Sequence, residues 1–90
     1  LRISDAAAES LAKELVELQF DGVVTVNWVT DPKTVCSFWE VGYYNRNDVP
    51  IQGIQEIRGV TFVFGQDPIS ARLNGMTLHE DDNGYVVKGD

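Results

Sequence analysis

Apolar residues recur at three- and four-residue intervals near the start of the chain, at Ala8, Leu11, Ala12, Leu15 and Leu18, and mark one stripe of a helix. The spacing predicts a helix over residues 5–19. Ser4 or Asp5 can accept a backbone N–H at its start, the acidic side chains of the first turns suit its dipole, and Glu9 stands four residues before Lys13 in the favourable order. Asp21-Gly22 is the predicted exit, with the glycine supplying a positive φ.

From residue 23 the period shortens to that of strands. Residues 23–30 are β-branched apart from Asn27 and Trp28, and Pro32, which has no N–H for a ladder, ends the run with Asp31. Residues 35–44 read as a second strand, rich in aromatics. Alternation puts Val35, Ser37, Trp39, Val41 and Tyr43 on one face and Cys36, Phe38, Glu40, Gly42 and Tyr44 on the other. Neither face is cleanly apolar, so the pattern leaves open which one is buried.

A polar, turn-prone loop over residues 45–50 follows, then a weak strand over 52–57, a turn at Arg58-Gly59 and a firm strand over 60–64. Asp67 and Pro68 suit the cap and first position of a short helix running to about Leu73. Residues 76–80 and 84–88 read as a hairpin turning about Asn83-Gly84. The elements add up to one helix and some six short strands, a small α+β or mainly-β domain.

Ninety residues predict a single domain over residues 1–90. A chain of this size buries roughly 60–65% of its surface and has a net stability of about 5–10 kcal/mol. Fourteen acidic against seven basic residues give a net charge of −7, and the basic ones are scattered with no two adjacent. A nucleic-acid partner is not expected, because that affinity rests on neutralising phosphates. The acidity serves solubility, or it forms a face for a basic partner protein. No apolar run approaches a membrane span, so no membrane partner is expected. The first residues have neither the basic start nor the apolar stretch of a signal peptide. One cysteine allows no internal disulfide, which suits a reducing, cytoplasmic setting.

The chemistry on offer is sparse. No phosphate-cradling glycine motif is present. A cysteine nucleophile needs a base, and the only histidine, His79, is distant in sequence from Cys36. No catalytic residue is assigned, and an enzyme is not expected. His79 with Glu80, Asp81 and Asp82 reads as a solvated hairpin edge and turn, or as hard oxygen ligands with one imidazole. Phe38, Trp39, Tyr43 and Tyr44 read as core and cross-strand pairs, or as the lining of a ligand groove or protein interface. Cys36 reads as a small buried hydrophobe or as a metal ligand. Its neighbours Val35, Phe38 and Trp39 predict a thiol that is at least partly shielded.

Several stretches, in order and at similar spacing, resemble the HesB-like family of A-type iron–sulfur carriers. They are Ile3-Ser4-Asp5-Ala6-Ala7-Ala8 at the helix start, Cys36-Ser37 mid-chain, and Gly59 with Val60, Thr61, Phe62, Val63 and Phe64. Ser70, Leu73-Asn74-Gly75-Met76-Thr77-Leu78 and a closing Gly84-Tyr85-Val86-Val87 complete the series. The resemblance covers nearly the whole chain. It implies a mainly-β fold, α+β by content: a compact, HesB-like β-sandwich with one N-terminal helix and a short helical turn before a C-terminal hairpin. It also implies a role in iron–sulfur cluster biogenesis, with Cys36 as the surviving metal ligand.

The departures from the family lie at the ligands. The family brings three cysteines, the first in a glycine-flanked turn and two in a Cys-Gly-Cys tail. Here Thr34-Val35 precedes Cys36, Phe38 follows Ser37, and no second cysteine is present. The strand-forming neighbours predict Cys36 within a regular strand. No cofactor is expected on this chain, an iron–sulfur cluster or iron being the group implied if the family activity is retained. The alternative is a metal-free protein-interaction or structural module on the same fold, and a protein partner and a homodimer both suit it.

Overall fold

The computed structural model describes residues 1–65, 68–82 and 84–89. Its elements run β1 (Arg2–Ile3), α1 (Asp5–Glu17), β2 (Gly22–Thr30), β3 (Ser37–Asn45), β4 (Ile54–Ile57), β5 (Val60–Val63), β6 (Met76–Asp81) and β7 (Gly84–Gly89). Short 3-10 turns occupy Arg46–Asp48, Ile51–Gly53 and Ser70–Leu73. The mainly-β, α+β reading of the sequence therefore holds, with one helix and two sheets. One sheet has the order β1-β6-β7 and the other β3-β2-β5-β4. β1 runs parallel to β6 and β2 parallel to β5, while the β2–β3, β4–β5 and β6–β7 pairs are antiparallel.

The helix begins where its cap predicts. Ser4 Oγ accepts the Ala7 N–H at 3.2 Å, and the Ser4 N–H donates to the Leu78 carbonyl at 2.9 Å, tying the cap to β6. The inward face carries Ala7 and Leu11, with Ala8 and Leu15 packed at its margin; Ala12, expected on that stripe, is exposed. The helix ends at Glu17 with Leu18 extended. Gly22 is thus no helix exit. It opens β2 and lets Leu18 in, since a Cβ there would lie 2.4 Å from Leu18 Cδ1.

β4 and β5 are joined by Arg58-Gly59, both in the left-handed region at φ 52° and 80°, the pairing that matches strand twist in a two-residue hairpin. The Arg58 guanidinium reaches the Asp5 carboxylate and donates to the Ile3 carbonyl at 3.3 Å, so the turn is held against the start of the helix. Residues 52 and 53, read from sequence as the start of a strand, belong instead to the 3-10 turn Ile51–Gly53. Gly53 is the reason: its site lies so close to β5 that a Cβ would come 2.4 Å from the Phe64 carbonyl oxygen, and the Phe64 N–H donates to Gly53 O at 2.9 Å. The C-terminal hairpin pairs Asp81 with Gly84 as expected; Asn83 and the proposed cap Asp67 lie outside the described residues.

Both sheets and the helix share one core. Ile3 and Leu78 come from the first sheet, Val24, Val26, Val60 and Phe62 from the second, and Ala7, Leu11 and Leu73 from the helical segments. Phe62 is fully buried and stacks on Phe64 with ring centroids 5.6 Å apart. Phe62→Ala should cost about 3–5 kcal/mol, a large part of the stability of a domain this size. The check is urea unfolding followed by circular dichroism; a loss under about 1 kcal/mol would contradict the packing described here.

Candidate functional site

Exposure rises along β2, from buried Val23, Val24, Thr25 and Val26 to exposed Asn27 and Trp28. The candidate site gathers at that end of the β2–β3 hairpin. The last rung sets Thr30 opposite Ser37, with their hydroxyls 2.8 Å apart. Asp31 then organises the turn. Its Oδ1 accepts the Lys33 N–H, its carbonyl accepts the Val35 N–H and its own N–H donates to Cys36 O, each at 2.8 Å. Thr34 Oγ1 accepts the Cys36 N–H at 3.3 Å.

These bonds place Val35 at φ 58°, a left-handed conformation that costs a side chain about 1–2 kcal/mol. Val35 therefore cannot continue a strand. This corrects two expectations: β3 starts at Ser37, and Cys36 stands exposed in the turn, neither within a strand nor shielded. Apolar side chains accompany it into solvent, Val35 at 79%, Phe38 at 44% and Trp28 at 38% exposure.

β3 and β7 are edge strands of their respective sheets, and they border one another. Between them lies a groove of about 500 Å³ lined by Trp28, Phe38, Trp39, Met76, Tyr85 and Val87. The Trp28 and Trp39 rings meet edge to face, 4.9 Å apart at 62°, a favoured aromatic geometry. The alternation along β3 is now resolved. Trp39, Val41 and Tyr43 pack against the core, while Phe38 and Tyr44 are exposed on the other face.

Sequence reasoning missed a cluster where the helix, β3 and β7 meet. Tyr43 Oη donates to the Glu14 carboxylate. Tyr85 Oη is buried and makes no hydrogen bond of ordinary geometry, although Glu14 and Ser10 lie close enough to influence it. Burial, reinforced by the negative charge of Glu14, pushes the Tyr85 phenol well above its usual range. A signal was present: Glu14 falls between Leu11, Leu15 and Leu18 on the apolar stripe, where a carboxylate needs a donor.

The remaining candidates do not converge. His79 sits half-buried in β6 opposite Val86, and Glu80, Asp81 and Asp82 lie exposed at the end of that strand and beyond it. Among the described residues, no three His, Cys, Asp or Glu side chains are grouped so as to hold a metal ion. An iron–sulfur cluster is normally held by four ligands, preferably thiolates. With Cys36 as the whole soft donor set, the side chains of one chain do not fit that group.

Two measurements follow. Cys36 in the native protein should react with a thiol reagent within about threefold of its rate in the urea-unfolded chain, as exposure requires; strong native protection would contradict the turn geometry. The second concerns Tyr85. Its folded-state pKa lies above the unfolded value of about 10, so its contribution to stability is complete below that pH and is lost as pH rises through the folded value. The urea midpoint should fall more steeply above about pH 10 in the native protein than in Tyr85→Phe; equal slopes would refute it.

No helix among the described residues is long and apolar enough to cross a membrane. Comparison with protein-family models, with curated proteins and with solved structures returns no match for this chain.

Proposed function

We propose that this chain is a divergent HesB-like protein that serves iron–sulfur biogenesis by contacting a partner protein, without carrying the cluster itself. The observation that supports this most is the composition of the hairpin end. A lone cysteine is presented there with Val35, Phe38 and Trp28 exposed around it, and no further thiolate is available to complete a ligand set. Exposed apolar side chains beside an open groove are the usual substance of a contact surface. The reading is non-enzymatic, and a free exposed thiol suits the reducing cytoplasm.

Exposure of Cys36 favours a second reading, in which two copies meet and each offers one thiolate to a cluster handled as cargo. Anaerobic incubation with iron, sulfide and reductant, then desalting and a visible spectrum, separates the two. The expected result is no thiolate-to-iron charge-transfer band in either the native chain or Cys36→Ala. A stoichiometric band that survives desalting and vanishes in the variant would establish the second reading. In cells depending on the gene, Phe38→Glu should lower iron–sulfur enzyme activity and Cys36→Ala should not. If deleting the gene leaves those activities unchanged, the link to iron–sulfur biogenesis fails.

A further inference from the structure

The Trp28–Trp39 pair of the aromatic groove lies on the core-facing side of the β3-β2-β5-β4 sheet. The opposite side of that sheet carries a second cleft, of about 530 Å³, within the range of small-molecule sites. Its floor is the outer face of β2, and its wall is the strap of residues 46–53 between β3 and β4.

Three features show that this cleft is built. The strap is pinned at both ends. At one end the Arg46 N–H donates to the Asp21 carbonyl at 2.8 Å, and the Arg46 guanidinium lies 3.1 Å from the Asp21 carboxylate. At the other, Gly53 is pressed against β5 and accepts the Phe64 N–H.

The floor is polar where a sheet face covered by a strap would ordinarily be apolar. Thr25 is 3% exposed, the one buried polar residue among those described, and its Oγ1 accepts from Asn27 Nδ2 at 3.1 Å. As an acceptor in that bond it keeps its own proton for another partner, and the Asn27 carbonyl keeps its lone pairs.

Glycine stands where it leaves that floor open. Gly42 is paired with Thr25, and a Cβ there would come 3.2 Å from Thr25 Oγ1. Any larger side chain at position 42 would lie over the hydroxyl.

The lining also selects a chemistry. Val49, Pro50 and Val63 are apolar, and Tyr44 supplies an aromatic ring, the Phe64 ring being turned to the core side where it stacks on Phe62. Among the described residues, Asp48 is the only charged one on the lining and no basic side chain contributes. We infer that this cleft binds a small amphipathic cation: a flat apolar body between Tyr44 and the strap, a hydrogen-bonding group over Thr25 and Asn27, and a positive charge toward Asp48. An anion would meet a carboxylate and no compensating charge, and aromatic rings attract cations through their faces. The inference is independent of the proposed role in iron–sulfur biogenesis, because the cleft shares no lining residue with the aromatic groove or the hairpin end.

The test uses three probes that share an indole ring and differ in charge: tryptamine, indole-3-ethanol and indole-3-acetate. Each is titrated into the full chain and followed by amide chemical shifts. Tryptamine should give saturable shifts centred on Thr25, Asn27, Tyr44 and Val63, and should bind roughly threefold more tightly than the neutral alcohol, the scale of an exposed charge pair. The acetate should bind more weakly than either. Asp48→Asn should erase the difference between amine and alcohol. Gly42→Val should weaken tryptamine at least about tenfold by covering the floor. Thr25→Val, which keeps the β-branched shape, should weaken it as well and serves if Gly42→Val does not fold. Absence of saturable shifts with tryptamine up to about 10 mM would overturn the inference, since that corresponds to negligible affinity. So would shifts centred on Trp28, Trp39 and Tyr85, or acetate binding as tightly as the amine.

Discussion

Everything in this molecule is arranged around β2, a strand buried on both faces along its first half. It pairs with β3 over nine rungs on one side and with β5 on the other. Val24 and Val26 are committed to the core, while Thr25 points to the opposite side and is nearly as enclosed. A strand in that position cannot slip by one residue, because a slip would exchange its valines for threonine and asparagine. Its register therefore fixes which β3 side chains join the core, brings Gly42 opposite Thr25, and sets Trp28 across from Trp39.

This dependence explains what could be read from sequence and what could not. The helix, its serine cap, the Arg58-Gly59 turn and the final hairpin rest on local signals, and all appear close to where those signals put them. β3 was legible as a strand, but its buried face was not. That face is decided by β2 and by the helix, through the Tyr43–Glu14 bond and the packing of Trp39 and Val41. Val35 misled because valine favours strands, whereas three hydrogen bonds organised by Asp31 outweigh that preference and hold it left-handed. The exposure of Cys36 follows from that one inversion. The outer cleft left no linear trace, since it needs Gly42, Thr25 and the strap to meet through pairing of distant segments.

The structure agrees with the mainly-β, α+β class read from the sequence, while the described side chains do not assemble the ligand set that the HesB-like resemblance implies. A single thiol at a hairpin tip gives a surface with a reactive mark on it, not a coordination sphere. The excess of acidic residues is consistent with such a surface meeting a basic protein, since complementary charge speeds encounter more than it strengthens the final contact.

The parallel pairing of β1 with β6 has a consequence for how the chain comes together. Residues 2 and 3 find their partners only at Thr77 and Leu78, so the first sheet cannot close until nearly all the described chain is present. The helix that follows β1 is thirteen residues long, marginal by itself in water. Its cap residue is anchored through the same late partner, Leu78. During synthesis the first segments must therefore wait, unprotected, while the β2–β3 and β4–β5 hairpins form from nearer neighbours. The entropic cost of closing a loop grows only with the logarithm of its length, but it must be met before such distant pairings reward it, which makes them late and slow. The final hairpin closes the first sheet, so damage there would be felt first at β1 and at the helix cap.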